Sequence, residues 1–109
     1  MAEHILVCIT SSSPPEAEKL GQALVENRLA ASAHIIADIR SIFWWKDTLE
    51  TKREALLMLR SRSALFPEIT KMVRAFHSYE VPEIIAFPII LGSEDFLSWI
   101  DEETQTRLA

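Results

Sequence analysis

Along the first half of the chain the hydrophobic positions pass from an unbroken run to a helical repeat and then to strict alternation. Between His4 and Thr10 the residues Ile5, Leu6, Val7, Cys8 and Ile9 are continuously apolar, as in a short strand buried on both faces. Ser11-Ser12-Ser13-Pro14-Pro15 ends that run. Ser13 with Glu16 three residues on is a capping-box pair, and Pro14 suits a first helical position, where its missing N–H would be unpaired anyway. The helix predicted from there carries Ala17, Leu20, Leu24 and Val25 on one face and Glu16, Lys19, Gln22 and Glu26 away from it, ending near Arg28. From Ala33 the period becomes two. Ala33, Ile35, Ala37, Ile39, Phe43 and Trp45 fall on one face, interrupted only by Ser41, with His34, Ile36, Asp38, Arg40, Ile42 and Trp44 on the other.

That alternation predicts a strand of about 13 residues where ~5–6 is usual. At about 3.3 Å per residue it would run roughly 40 Å, against a radius of gyration of about 13 Å for a 100-residue domain. Such a strand must bend, bulge or project from its own subunit. Lys46 to Glu50 supplies a turn, and Arg53 to Ser61 reads as the returning strand. A second helix covers Leu65 to Phe76 through Leu65, Ile69, Met72, Val73 and Phe76, with Pro67 in its first turn. Another apolar strand runs from Glu83 to Leu91, where Pro88 marks a bulge or an edge. Ser93 caps a last short helix with Glu94 and Asp95 in its first turn and Phe96, Leu97 and Ile100 on its buried side. The order β-α-β-β-α-β with a terminal helix predicts an α+β, ferredoxin-like antiparallel sheet with a long central hairpin and both main helices on one face. The open face is too apolar to stay wet, so covering it requires neighbouring subunits.

Composition narrows the class. The 109 residues are 49% hydrophobic with two glycines, enough for one domain spanning 1–109 with a core that needs no staple. A formal net charge of −5 and the lack of any basic run argue against nucleic acid or an anionic membrane as a partner. The lone Cys8 forms no internal disulfide and fits a reducing compartment. Met1-Ala2-Glu3-His4 enters a strand directly, without the basic and apolar regions of a signal peptide. The longest apolar stretch, Ile84 to Leu91, falls far short of the roughly 20 residues of a membrane helix. The expectation is a cytoplasmic protein.

Four segments, in this order and spacing, carry a family resemblance: Glu26-Asn27-Arg28-Leu29-Ala30-Ala31, Arg40-Ser41-Ile42-Phe43-Trp44-Trp45, His77-Ser78-Tyr79-Glu80-Val81-Pro82-Glu83-Ile84-Ile85, and Leu97-Ser98-Trp99. On them the chain resembles the CutA family of divalent-cation-tolerance proteins, nearly end to end. The resemblance implies a ferredoxin-like fold in a tight homotrimer, related in form to the trimeric nitrogen-regulatory signalling proteins. It also implies a link to tolerance of copper and other divalent metals, with metal binding and no catalytic activity. The chain departs from the family pattern at Ser32, where members often carry Cys, at Ser78, where many carry Pro, and at Asp47-Thr48, where a Gly is common.

The candidate chemistry is sparse. Cupric copper and zinc accept imidazole and carboxylate, which nominates His77 and Glu83 as metal ligands, although no CxxC or HxxxH spacing supports them. The alternative is that His77 terminates the second helix and Glu83 is held by a nearby donor. Cys8, the only thiol, reads as a small buried hydrophobe. By the register of the resemblance it stands one residue from the position where some members carry Cys, which turns it to the opposite face of its strand. Phe43, Trp44 and Trp45 are assigned to the trimer interface, Trp being a typical interface anchor. Tyr79, Glu80, Arg40 and Trp44 are assigned to a cleft between subunits that takes a small polar effector or a protein partner. Enzymatic function is not expected: the first loop lacks the Gly and Arg of an acylphosphatase cradle, and no nucleophile, base and orienter stand together. No cofactor is required, and a divalent metal, copper first, is the possible ligand.

Overall fold

The computed structural model describes residues 3–105, so Met1 and Ala2, part of the leader reading, lie outside the described residues. In chain order the elements are β1 (His4–Ser11), α1 (Pro14–Glu26), β2 (Ser32–Trp45), β3 (Thr48–Arg62), a 3-10 turn (Ser63–Leu65), α2 (Phe66–Phe76), β4 (Ile84–Pro88) and α3 (Glu94–Glu103). The sheet order is β2-β3-β1-β4 and every pair is antiparallel. This is the α+β, ferredoxin-like arrangement read from the sequence.

Alternation along the central strands divides the molecule into two faces. Ile5, Val7 and Ile9 of β1 and Ala55, Leu57 and Leu59 of β3 are buried with Leu20 and Leu24 of α1 and Ile69 and Val73 of α2. Each Ile, Leu and Val among them contributes about 1.5–3 kcal/mol on leaving water. Helix α1 lies close to the sheet at Gly21, where a Cβ would stand 3.0 Å from Leu57 Cδ1 and 3.3 Å from the Ala33 Cβ. Its first turn is capped as expected, the Glu16 N–H donating to Ser13 Oγ at 3.3 Å. The reciprocal half differs: Glu16 Oε1 accepts from the Ser12 N–H at 3.0 Å rather than from Ser13.

The opposite face carries Leu6, Cys8 and Thr10 of β1, Leu56 and Met58 of β3, and Ile85 and Phe87 of β4. Helix α3 reaches one end of the sheet, where Arg62 Nε donates to Thr104 Oγ1 at 2.8 Å and His4 Nε2 meets Asp101 Oδ1 at the same distance. Ile36, Ile85 and Phe87 stay exposed.

The long hairpin departs from the expected form in two ways. Its turn is Lys46-Asp47 alone, both with positive φ (50° and 65°), so β3 starts at Thr48 rather than near Arg53. Two left-handed residues match the twist of the flanking strands, and Asp tolerates that conformation without glycine. The second departure is in which side chains share a face, because the bulge that a strand this long allowed for falls between Ile36 and Ile39. Ile36 pairs with Leu56 and Ile39 with Glu54, so Ala37 and Asp38 together face Ala55. One extra residue exchanges the faces of everything beyond it. Ala33 and Ile35 stand opposite the helix-facing Leu59 and Leu57, whereas Ile39, Ser41, Phe43 and Trp45 stand opposite Glu54, Lys52, Glu50 and Thr48. The single continuous face expected for Ala33 through Trp45 does not exist.

Two smaller expectations are also corrected. Strand β4 stops at Pro88 rather than Leu91, leaving Ile90 and Leu91 largely exposed; Pro88 has no N–H to continue a ladder. In α3 the Ser93 side chain makes no capping bond, and the fully buried residue is Ile100 while Phe96 is exposed.

Candidate functional site

The site is built where the chain leaves α2. His77 closes the helix, its N–H bonding to Val73 O at 2.8 Å, and its extended backbone (φ −80°, ψ 141°) turns the chain back over the sheet. Its side chain is 1% exposed. Ring Nε2 lies 2.6 Å from Thr10 O at the end of β1, and Nδ1 accepts the Tyr79 N–H at 3.0 Å. A carbonyl only accepts and an amide only donates, so these partners place the ring proton on Nε2.

Glu16 anchors the same turn from the first turn of α1. Its Oε2 accepts the Ser78 N–H at 3.1 Å, and its Oε1 lies 3.8 Å from His77 Nε2. Burial alone would push this carboxyl up, but hydrogen bonds from Ser78 and Ser12 and the neighbouring His77 outweigh it and hold the group below its ordinary range. Tyr79 stacks at a tilt on His77, with ring centroids 4.8 Å apart, and its hydroxyl donates to Glu54 Oε2 at 2.5 Å. Glu54 lies in β3 and is 5% exposed. Burial raises the Tyr79 phenol well above its ordinary range, and the Glu54 carboxylate raises it further. Tyr79 is therefore a neutral hydrogen-bond donor at physiological pH.

Because the bulge has turned Phe43 and Trp45 toward this loop, a cleft of about 240 Å³ forms between Phe43, Trp45 and Lys52 on the hairpin and Tyr79, Glu80 and Val81 on the loop. An adjoining hollow of about 430 Å³ is lined by Thr10, Ser41, Glu54 and Glu83, among others. The Lys52 ammonium stands 5.7 Å from the Tyr79 ring centroid and 6.0 Å from that of Phe43. Lys46 at the hairpin turn lies 5.4 Å over the Trp45 ring and 3.5 Å from Glu80 Oε2.

The expected cleft residues divide between the two faces of the hairpin. Tyr79 and Glu80 line the cleft. Arg40 and Trp44 do not: they stand opposite Arg53 and Leu49, on the face turned away from Phe43 and Trp45. Of the assigned interface residues, Trp44 is 72% exposed beside exposed Ile42 and Leu49, while Trp45 is 38% exposed and Phe43 is half-buried. Among the described residues no group of three or more His, Cys, Asp or Glu side chains converges to hold a metal ion. Within one chain, then, His77 and Glu83 are not part of a larger ligand set, and both His77 ring nitrogens already have partners. Cys8 is buried, and burial raises its thiol, with Glu83 raising it further and Arg60 opposing.

Sequence reasoning missed Glu16, Lys52 and Glu54 as members of this site. In the sequence Glu16 is accounted for by its capping position alone. Glu54 carried a readable signal, a carboxylate placed directly before the apolar run Ala55 to Leu59, because a charge at the edge of a core strand needs a partner.

Comparison with known proteins places this geometry. The family model described as CutA1 divalent ion tolerance protein matches residues 5–103. The divalent-cation tolerance protein CutA of Archaeoglobus fulgidus is 40% identical over 102 residues, covering 94% of this chain and 99% of the relative. Its solved structure, described as the periplasmic divalent cation tolerance protein CutA, superposes with a TM-score of 0.91 over 94% of this chain and 99% of that one. The crystal structure of CutA1 from Oryza sativa superposes with a TM-score of 0.92 at 32% identity, covering 97% of each chain. A rice relative is described as chloroplastic. Protein CutA of Mus musculus is 38% identical over 98 residues, 90% of this chain, which spans 55% of the mouse protein. No helix among the described residues is long and apolar enough to cross a membrane.

Proposed function

Because this chain belongs to the CutA1 divalent ion tolerance family, we propose that it acts as a cytoplasmic homotrimer in the response to divalent metal ions, copper among them, without turnover chemistry. The observation that carries the assembly is the hairpin's outer face, where Ile42, Trp44 and Leu49 stand exposed together. An apolar group of this kind on a projecting ribbon is the mark of an interface. The test is native mass spectrometry with sedimentation velocity in dilute buffer. The expected species has three times the mass of the chain, and a stable single-copy species overturns the proposal.

Two readings of the site differ in what they cost. A cupric ion at His77 and Glu83 has suitable imidazole and carboxylate donors. To bind at Nε2 it must reverse the ring tautomer and take the nitrogen from the Thr10 carbonyl, a loss of about 1–3 kcal/mol for a buried acceptor left unmade. The cleft between Phe43, Trp45, Lys52 and Tyr79 takes a small molecule without breaking any of these bonds, and for that reason the geometry favours it as the effector site. Paramagnetic resonance of a cupric titration separates the two. Loss of a nitrogen-coordinated signal in both His77→Ala and Glu83→Gln supports the metal pair; a signal unchanged in both removes it.

A further inference from the structure

The cleft carries an unbalanced charge. Glu80 is matched by Lys46 at 3.5 Å, and the Glu54 carboxylate behind Tyr79 accepts the phenolic hydroxyl. Lys52 has no carboxylate within ion-pairing distance among the described residues; its ammonium rests only against the Phe43 and Tyr79 rings. Within a chain of net charge −5 the aromatic-walled cleft thus holds a lysine that no carboxylate among the described residues pairs directly, although Glu50 and Glu54 flank it along the same strand face.

This arrangement selects among ligand classes. A cation would compete for the ring faces that the Lys52 ammonium already holds. A neutral ring would gain the apolar contact but leave that ammonium without a counter-charge. A carboxylate on a flat ring gains both, since an ionised acceptor makes the stronger, charge-assisted bond and Phe43, Trp45 and Tyr79 offer stacked or edge contacts. The cleft's 240 Å³, below the ~300–1,000 Å³ usual for drug-sized ligands, holds about one ring system, and the adjoining 430 Å³ hollow shares its Phe43, Trp45 and Tyr79 walls.

We infer that this cleft is a binding site for a small planar aromatic carboxylate, with Lys52 as its counter-charge. The inference rests on the cleft reading above and can fail while the trimer and the metal response stand. Its test uses the assembled wild-type protein titrated with benzoate, neutral benzamide, cationic benzamidine and acetate, followed by NMR of the Trp indole and Tyr79 amide signals. Benzoate is expected to bind at least ten times more tightly than the other three, with the Trp45 indole and Tyr79 amide moving most. Lys52→Met, which keeps the stem and removes the charge, is expected to bring benzoate down to the level of benzamide, and Lys52→Arg to retain the preference. Equal binding of benzoate and benzamide overturns the inference, as does acetate matching benzoate, or a preference that survives Lys52→Met. Failure of benzoate to bind at millimolar concentration, with the assembled mass intact, overturns it too. Should Lys52→Met not assemble, the comparison of the four compounds on the wild-type protein decides alone.

Discussion

The Tyr79 hydroxyl donates to Glu54 Oε2 across 2.5 Å, fastening the loop after α2 to the middle of the longest strand. Glu54 is the charged residue buried at that point of β3, and Tyr79 is the donor that makes its burial tolerable.

Tyr79→Phe should therefore destabilise the protein by about 1–3 kcal/mol, the cost of leaving a buried acceptor without its donor. Pairing it with Glu54→Gln should cost less than the sum of the two single changes, because the second removes the charge the first leaves stranded. Urea unfolding of the four members of that cycle measures the coupling. Strict additivity would remove the bond from the stability account.

Stability should also fall at both ends of the pH range through this loop. The Glu16 carboxyl is held below its ordinary range, so its contribution is present above the unfolded pKa of about 4.3 and disappears as pH drops through the lower folded value. The Tyr79 phenol is raised, so its contribution is complete below the unfolded pKa of about 10 and declines as pH climbs from there toward the folded value. Glu16→Gln should flatten the acid limb of a stability-against-pH curve and Tyr79→Phe the alkaline limb. Unfolding followed by circular dichroism at stepped pH reads both.

Gly21→Ala should destabilise even though alanine gains about 1 kcal/mol of helix propensity over glycine. Its Cβ would meet Leu57 Cδ1 at 3.0 Å, and Leu57 is fully buried, in a core packed closely enough that a shift is resisted. Overpacking of this kind costs about 1–3 kcal/mol, leaving a net loss on the order of 1 kcal/mol. A raised denaturation midpoint for this variant would show that Leu57 can shift.

Trp44→Ala should weaken subunit association more than Trp45→Ala, and by at least about tenfold, the size of a modest interface anchor. Trp44 is 72% exposed in the single chain whereas Trp45 is 38% exposed, being partly engaged with Lys46 and the cleft. Sedimentation velocity over a dilution series ranks the two, and equal effects would contradict the face assignment made by the bulge.

Deleting Asp38 should regularise the pairing while leaving every pair beyond it in place, with Trp44 opposite Leu49 and Phe43 and Trp45 still at the cleft. A retained Tyr79-to-Glu54 bond and unchanged exchange of the Tyr79 amide are the expected outcomes. Faster exchange of that amide would mean that the ribbon re-pairs in a shifted register instead.

The sequence by itself determined the order and kind of the elements, because each was written in a local period: the apolar run of β1, the capped repeat of α1, the alternation from Ala33 onward. Those signals depend on neighbours a few residues away, so the topology followed from them; the family resemblance rested instead on four motif segments. What surrounds His77, Tyr79 and the hairpin tip depended on partners far along the chain. Thr10 lies 67 residues from His77, and Glu54 lies 25 from Tyr79. The position of the bulge, at Ala37 and Asp38, was hidden for a related reason. Both sides of β2 carry apolar residues, so alternation alone could not reveal that one residue goes unmatched; only pairing with β3 decided which aromatics face the cleft and which face outward.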